Sequence, residues 1–314
     1  MNSMQVVVCT YNRCESLRDT LRALKAQTVN EDIELEVIVV DNNSADSTKM
    51  VVEEAGRGSR IPIRYLFEPR QGKSYACNTA IEQAQGEFVA FVDDDVVPES
   101  GWAQALCDAF LSFRADCVGG KVLPLWAQTP PSWLMSETVR KPIWDLLALL
   151  DHGNGVITAN ASDNNFLYGA NFAFRKKALK DIGPFRVDLG PAGSRPLRGE
   201  DADIVSRFLK AGKKVIYTPH AIVHHKVSQQ RMQMTYIRQW KYLWGKTTSL
   251  MHPIHARLPG WLVKECIGHG MRALTAYGQR KRENGIQHEL QFWTQLGQIV
   301  GMVERRWRRY PQSA

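Results

Sequence analysis

The chain has 314 residues, 44% of them hydrophobic and 23% charged, enough for one large α/β core with a smaller appended unit. That composition excludes a disordered, collagen-like or disulfide-scaffold protein, and no run of about 18 or more apolar residues marks a membrane-spanning helix. Net charge is +8, and from Ala256 onward ten Lys/Arg face four Asp/Glu, so the tail carries most of the excess.

The opening MNSMQVVVCTYNR has neither a basic n-region nor a long apolar h-region, so no secretory signal is expected there. The six cysteines, Cys9, Cys14, Cys77, Cys107, Cys117 and Cys266, are scattered without a CxxC pair and read as reduced thiols. A cytosolic address is the expectation.

In chain order, Met4–Cys9 reads as a buried strand, and Ser16–Ala26 as a helix with Leu17, Leu21 and Leu24 on one face. Leu35–Val40 is a second strand, Ala45–Ala55 a helix, Ile63–Phe67 a third strand and Lys73–Ala84 a helix. Phe88–Val92 is the central strand and runs into three aspartates. This alternation is that of βα units on a mostly parallel sheet, where ligands bind at the carboxyl ends of strands. Thr10, Asp41 and Asp93–Asp95 all fall at such ends.

Trp102–Phe113 reads as a helix and Cys117–Leu123 as a strand, after which residues 124–165 read as an irregular connection. Its prolines and Trp126, Trp133 and Trp144 suggest a substrate-facing loop on which an acceptor ring would stack. Tyr168–Phe174 is expected as a strand, Arg175–Asp181 and Gly199–Ala211 as helices, and Lys214–Tyr217 as a strand. Beyond about Val227 the pattern is helical, which divides the chain into domains 1–227 and 228–314.

Two acidic clusters carry the chemistry. Consecutive carboxylates at Asp93-Asp94-Asp95 repel one another and need a cation. Along an extended chain alternate side chains share a face, so Asp93 and Asp95 are expected to converge on one divalent ion, with Asp94 turned elsewhere. A surface turn rich in aspartate is the alternative. The second cluster, Gly199-Glu200-Asp201-Ala202-Asp203, opens a helix, where acidic residues serve either as caps or as a general base. His224 and His225 come next; either imidazole could complete a metal shell or be structural.

Five segments in this order resemble the family 2 glycosyltransferases of the GT-A fold: VVVCTYNR, EVIVVDNNSADST, RQGKSYACNTAIEQAQGEFVAFVDDDVVPE, GANFAFRKKALKDIGPF and GEDADIVSRFLKAGKKVIYTPHAIVHH. They span about Met4 to His225. The resemblance implies a Rossmann-like α/β domain with a mostly parallel central sheet, followed here by a C-terminal helical extension. It also implies inverting transfer from a nucleotide-diphosphate sugar with Mn²⁺ or Mg²⁺. On this reading Thr10, Tyr11 and Arg13 line the nucleotide pocket, and Asp41 accepts from the base, commonly uracil. Lys73 and Asn78 lie near the donor, Asp94 and Asp93 contact its ribose or sugar, and Asn171 holds donor or acceptor sugar. Asp95 is the implied metal ligand, with Asp93 and His224 beside it; Asp201 is the implied catalytic base and Glu200 its runner-up. The acceptor would be a saccharide or a lipid-linked glycan in polysaccharide synthesis.

For the tail, apolar positions in Arg257–Tyr277 and Glu289–Tyr310 recur among basic residues. They would pack on the protein, form a homo-oligomer, or lie peripherally on the inner face of the plasma membrane. No nucleic-acid module is present, so no nucleic-acid partner is expected. Three rival functions are a sugar-nucleotide pyrophosphorylase, a catalytically inactive sugar-nucleotide-binding relative, and a membrane-surface adaptor that uses only the tail. The first needs a glycine-rich basic loop after strand one, which CTYNRCESL is not; intact Asp93, Asp95 and Asp201 speak against the second.

Overall fold

A computed structural model describes residues 2–163, 166–192, 195–196, 198–251 and 258–307. The elements are β1 (Asn2–Thr10), α1 (Cys14–Lys25), β2 (Ile33–Asp41), α2 (Thr48–Gly56), β3 (Ile63–Phe67), α3 (Lys73–Gln83), β4 (Phe88–Asp93), β5 (Val96–Pro98), α4 (Trp102–Phe113) and β6 (Cys117–Trp126). There follow α5 (Ser132–Met135), α6 (Glu137–Leu146), β7 (Ile157–Thr158), β8 (Phe172–Arg175), α7 (Lys176–Ile182), β9 (Pro191–Ala192), β10 (Arg195–Pro196), α8 (Glu200–Lys210) and β11 (Val215–Val227). A short 3₁₀ turn (Gln229–Met232) leads to α9 (Met234–Met251), α10 (Gly260–Gly278) and α11 (Arg282–Trp307).

The chain forms two compact units. The first comprises Met1–Leu125, Ala148–Ser194 and Glu200–Lys226. Its sheet has the order β3-β2-β1-β4-β8-β6-β11-β5, with β7 pairing on β11. The first four strands in that order are parallel, and β8 joins antiparallel to both β4 and β6. The β-branched runs VVV of β1 and VIVV of β2 are buried on both faces, as a helix-covered parallel strand requires. Leu17, Leu21 and Leu24 of α1 are buried, as their spacing predicts. In the strand register Thr10 sits opposite Asp41, Cys9 opposite Asp93 and Asp41 opposite Phe67. The carboxyl ends of β1, β2, β3 and β4 are therefore level, and their polar residues share one edge.

The expected strand at 214–217 runs on as β11 for 13 residues. Pro219 concealed that length, because proline normally ends a strand. Along one side of β11, Tyr217 pairs with β7 and Val223 with β5, so Pro219 falls in the gap between partners.

The second unit comprises Trp126–Leu147, Arg195–Gly199 and Val227–Ala314. The stretch read as an irregular loop thus contains α5 and α6, grouped with the C-terminal helices. Trp133 is buried there at 8% exposure, with the Arg282 guanidinium 5.9 Å from its ring, and Trp144 is half-buried under Arg140. These two indoles serve packing rather than an open stacking surface. In α9 and α11 glycines replace side chains at the contact: a Cβ on Gly245 would lie 1.9 Å from the Thr294 carbonyl, and one on Gly297 1.9 Å from that of Tyr242. Glu289 ties three helices by accepting from Arg238 Nε at 2.5 Å, Tyr277 Oη at 2.6 Å and Trp293 Nε1 at 3.3 Å.

Candidate active site

The acidic edge lies within the first unit. β4 ends at Asp93, and Asp94 and Asp95 form a turn before β5. The alternation rule therefore stops one residue too early for the sequence expectation. Asp93 turns to Lys73, whose Nζ lies 2.6 Å from Oδ1, while Asp94 and Asp95 share one guanidinium. Arg13 Nη1 is 3.0 Å from Asp94 and 3.1 Å from Asp95. The pair that converges is Asp94 with Asp95, not Asp93 with Asp95. Backbone bonds hold this turn: the Thr20 hydroxyl is shared between the carbonyls of Asp94 and Val96, and the Lys226 N–H donates to the Asp95 carbonyl at 2.9 Å.

Asp94 is 5% exposed and accepts from the Thr10 hydroxyl at 2.8 Å. Burial pushes its carboxyl up to about 6, against the pull of Arg13. His225 places Nε2 3.2 Å from Asp95 Oδ1. Neighbours on a strand face opposite ways, so His224 points elsewhere, with Nε2 2.9 Å from Glu99. The imidazole beside the aspartates is His225, a distinction the sequence left open and resolved toward His224 by resemblance.

Lys73 begins α3 and also reaches Glu200 at 3.6 Å. Burial alone would lower its ammonium pKa, but Asp93 and Glu200 outweigh that and raise it well above its ordinary value. Glu200 is 5% exposed, and burial raises its carboxyl despite Lys73. Asp201 is half-buried; its Oδ2 accepts the Gly169 N–H at 3.0 Å and its Oδ1 the Ala202 N–H at 2.8 Å. Lys73, Asp93, Glu200 and Asp201 line one cavity floored by Phe91 and Phe172. Gly169 is a residue the sequence reading passed over. A Cβ there would lie 3.2 Å from Asp201 Cβ and 3.3 Å from its Oδ2, a tight approach that would press the carboxylate from its place by a few tenths of an ångström.

Asp41 is buried and accepts from Ser44 N–H at 2.9 Å and from Tyr65 Oη at 2.8 Å. Tyr11 is 45% exposed on the same edge. Two other expected donor residues are framework instead. Asn78 exchanges two bonds with the Phe185 backbone, at 2.9 and 2.8 Å. Asn171 is 0% exposed: it accepts from Trp102 Nε1 and donates to the carbonyls of Lys121 and Ala221, each at 2.8 Å. A side chain so fully engaged inside the core has no face left for a sugar. The loop that delivers Lys73 is fixed by residues not foreseen. Asn42 binds the carbonyls of Glu68 and Arg70 and the Gly72 N–H, and Glu68 holds Arg70 and Thr79.

Among the described residues no three His, Cys, Asp or Glu side chains form a ready metal cage. Asp95 with His225 offers two donors, a set that fits Mg²⁺ or Mn²⁺ when phosphate oxygens complete the shell.

A parallel half-sheet with acidic strand ends, extended by antiparallel strands, is the GT-A arrangement found in glycosyltransferases. The chain belongs to glycosyl transferase family 2, whose model matches residues 5–183, more than half its length. It is 30% identical over 247 residues to the succinoglycan biosynthesis protein ExoM of Rhizobium meliloti, covering 78% of this chain and 73% of the relative. It is 28% identical to the glucosyl-dolichyl phosphate glucuronosyltransferase of Haloferax volcanii, over 80% of this chain and 78% of that one. Among solved structures, the mannosyltransferase PcManGT of Pyrobaculum calidifontis, in complex with GDP-Man and Mn²⁺, aligns at a TM-score of 0.63. That match has 17% identity and covers 98% of this chain and 87% of the other. TarS of S. aureus with UDP-GlcNAc aligns at 0.56 and 16% identity, over 99% and 93%.

Proposed function

We propose that the chain is an inverting glycosyltransferase that moves a sugar from a nucleoside-diphosphate donor, with UDP favoured, to a hydroxyl of a saccharide or lipid-linked acceptor in glycan synthesis. One observation carries the reading: Asp201, oriented by two backbone N–H groups, lines the same cavity as the Lys73–Asp93 pair at the carboxyl edge of the sheet. A base and a charged donor site lie within one cavity, as a single displacement requires.

Asp201 takes the proton of the acceptor hydroxyl while that oxygen attacks the anomeric carbon and the C–O bond to the diphosphate breaks. Attack from the face opposite the leaving group inverts configuration and needs no covalent nucleophile. Glu200 is the poorer base, because it is buried and already faces Lys73. Asp95 and His225 would hold a divalent cation, which supplies charge neutralisation to the departing diphosphate. Thr10, Tyr11, Arg13, Asp41 and Asp94 form the nucleotide side, with a carboxylate at Asp41 suited to the imide N–H of uracil. The relatives named for glycan and lipid-phosphate chemistry support the acceptor class.

The test is calorimetric titration of UDP, GDP and dTDP in Mn²⁺, on wild type and Asp201→Asn. UDP should bind both proteins alike, while Asp201→Asn loses about a thousandfold or more in transfer to acceptor. Absence of nucleotide binding to wild type would overturn the reading, and nucleotide binding without any transfer would favour the inactive sugar-nucleotide-binding relative.

A further inference from the structure

α10 carries two apolar faces. Leu262, Cys266, Ala273 and Ala276 are buried, and Cys266 Sγ and Gly270 lie against Phe292 of α11. Turned away from them at i, i+4 and i+7 stand Ile267, 58% exposed, Met271, 65%, and Leu274, 75%. Trp261, also 65% exposed, is the second residue of the helix, and Tyr277 stands near its end. Single exposed apolar residues are ordinary, but here the four most exposed large apolar side chains among the described residues share one helix.

The charge around this face has one sign in excess. Lys264, Arg272, Arg280 and Lys281 are exposed on or just beyond this helix, against Glu265 and Glu283. Two copies meeting through this face would bring those cations together, so a second copy is a poor occupant. The face lies along a single helix, with an aromatic residue near each end. No described helix is long and apolar enough to cross a membrane. A helix with an apolar stripe, basic flanks and terminal Trp and Tyr suits the plane of a bilayer interface.

We infer that the outward face of α10, centred on Ile267, Met271 and Leu274, seats in the headgroup region of an anionic lipid bilayer. The inference is independent of the proposed donor and acceptor. The full chain is to be sedimented with phosphatidylcholine vesicles and with vesicles also containing phosphatidylglycerol, at low and high salt. Wild type should bind the anionic vesicles, bind the neutral ones more weakly, and lose affinity as salt rises. Met271→Glu with Leu274→Glu should weaken anionic binding about tenfold or more, with thermal unfolding and UDP titration unchanged. Ile267→Ser with Leu274→Ser, a milder pair, should act in the same direction. Two outcomes overturn the inference: failure to bind either vesicle, or binding that neither double variant alters. A wild-type dimer, seen by light scattering and split by the variants without any vesicle binding, would also overturn it and assign the face to a second copy.

Discussion

At the residue scale the site separates side chains that face the cavity from side chains that hold it. Asn171 is of the second kind. Its replacement by alanine would leave the Trp102 indole N–H and the carbonyls of Lys121 and Ala221 without this partner in the core. Each orphaned buried group costs about 1–3 kcal/mol, so Asn171→Ala should lose about 3 kcal/mol or more of stability. A lower urea midpoint, with UDP affinity of the folded protein within about threefold of wild type, is the expected pair of results. Lost UDP affinity with an unmoved midpoint would make Asn171 a ligand contact instead. Glu68 gives a pH signature at the loop before Lys73. The Arg70 hydrogen bond, aided by Thr79, lowers its carboxyl from 4.5 to about 2. A depressed folded pKa means the stabilisation is complete above the unfolded value near 4.5 and disappears as pH falls through about 2. Arg70 is 61% exposed, so water screens the pair and the contribution is about 1 kcal/mol. Urea unfolding at about pH 6 and about pH 3 should show part of that loss in wild type and a smaller one in Glu68→Gln.

At the element scale, close approach decides what composition alone would get wrong. Replacing a mid-helix glycine by alanine usually stabilises by about 1 kcal/mol. At Gly297 the added Cβ would sit 1.9 Å from the Tyr242 carbonyl, and only a shift of α9 against α11 relieves that. Overpacking of this kind costs about 1–3 kcal/mol or more, so Gly297→Ala should lower the melting temperature despite its better helix propensity. A raised melting temperature would mean the two helices are not in backbone contact. The same contrast explains what the sequence could and could not convey. Buried VVV and VIVV runs, leucines at helical spacing and the aspartates after β4 are local patterns, so the βα half and its acidic edge were legible. Pro219 hid most of β11 because its tolerance depends on which partners flank it. The turn at Asp94–Asp95 hid the true carboxylate pair, because a two-residue rule fails once the strand ends. Asn171 sat in a motif-like GAN stretch, and only its burial among β6, α4 and β11 shows it to be a clamp. Helices α5 and α6 were masked by Pro130, Pro131 and Pro142, with Pro142 inside α6 itself.

At the scale of the whole molecule, net charge and site charge have opposite signs. The chain carries +8, yet Asp93, Asp94, Asp95, Glu200 and Asp201 gather five carboxylates at one edge, with Arg13 beside Asp94 and Asp95 and Lys73 beside Asp93 and Glu200. On the proposed function a divalent cation enters with the donor, and Asp95 with His225 is where it would be held. Removing divalent ions with EDTA should therefore weaken UDP binding about a hundredfold, near 2.7 kcal/mol, whereas UMP, which lacks the second phosphate, should lose far less. Asp95→Asn should reproduce most of the EDTA effect in the presence of Mn²⁺, and His225→Ala a smaller part, because a carboxylate brings charge where an imidazole brings only a lone pair. Equal UDP affinity with and without divalent ions would leave the neutralisation to side-chain cations such as Arg13 and Lys73. The aspartates would then be partners of those side chains rather than of a metal.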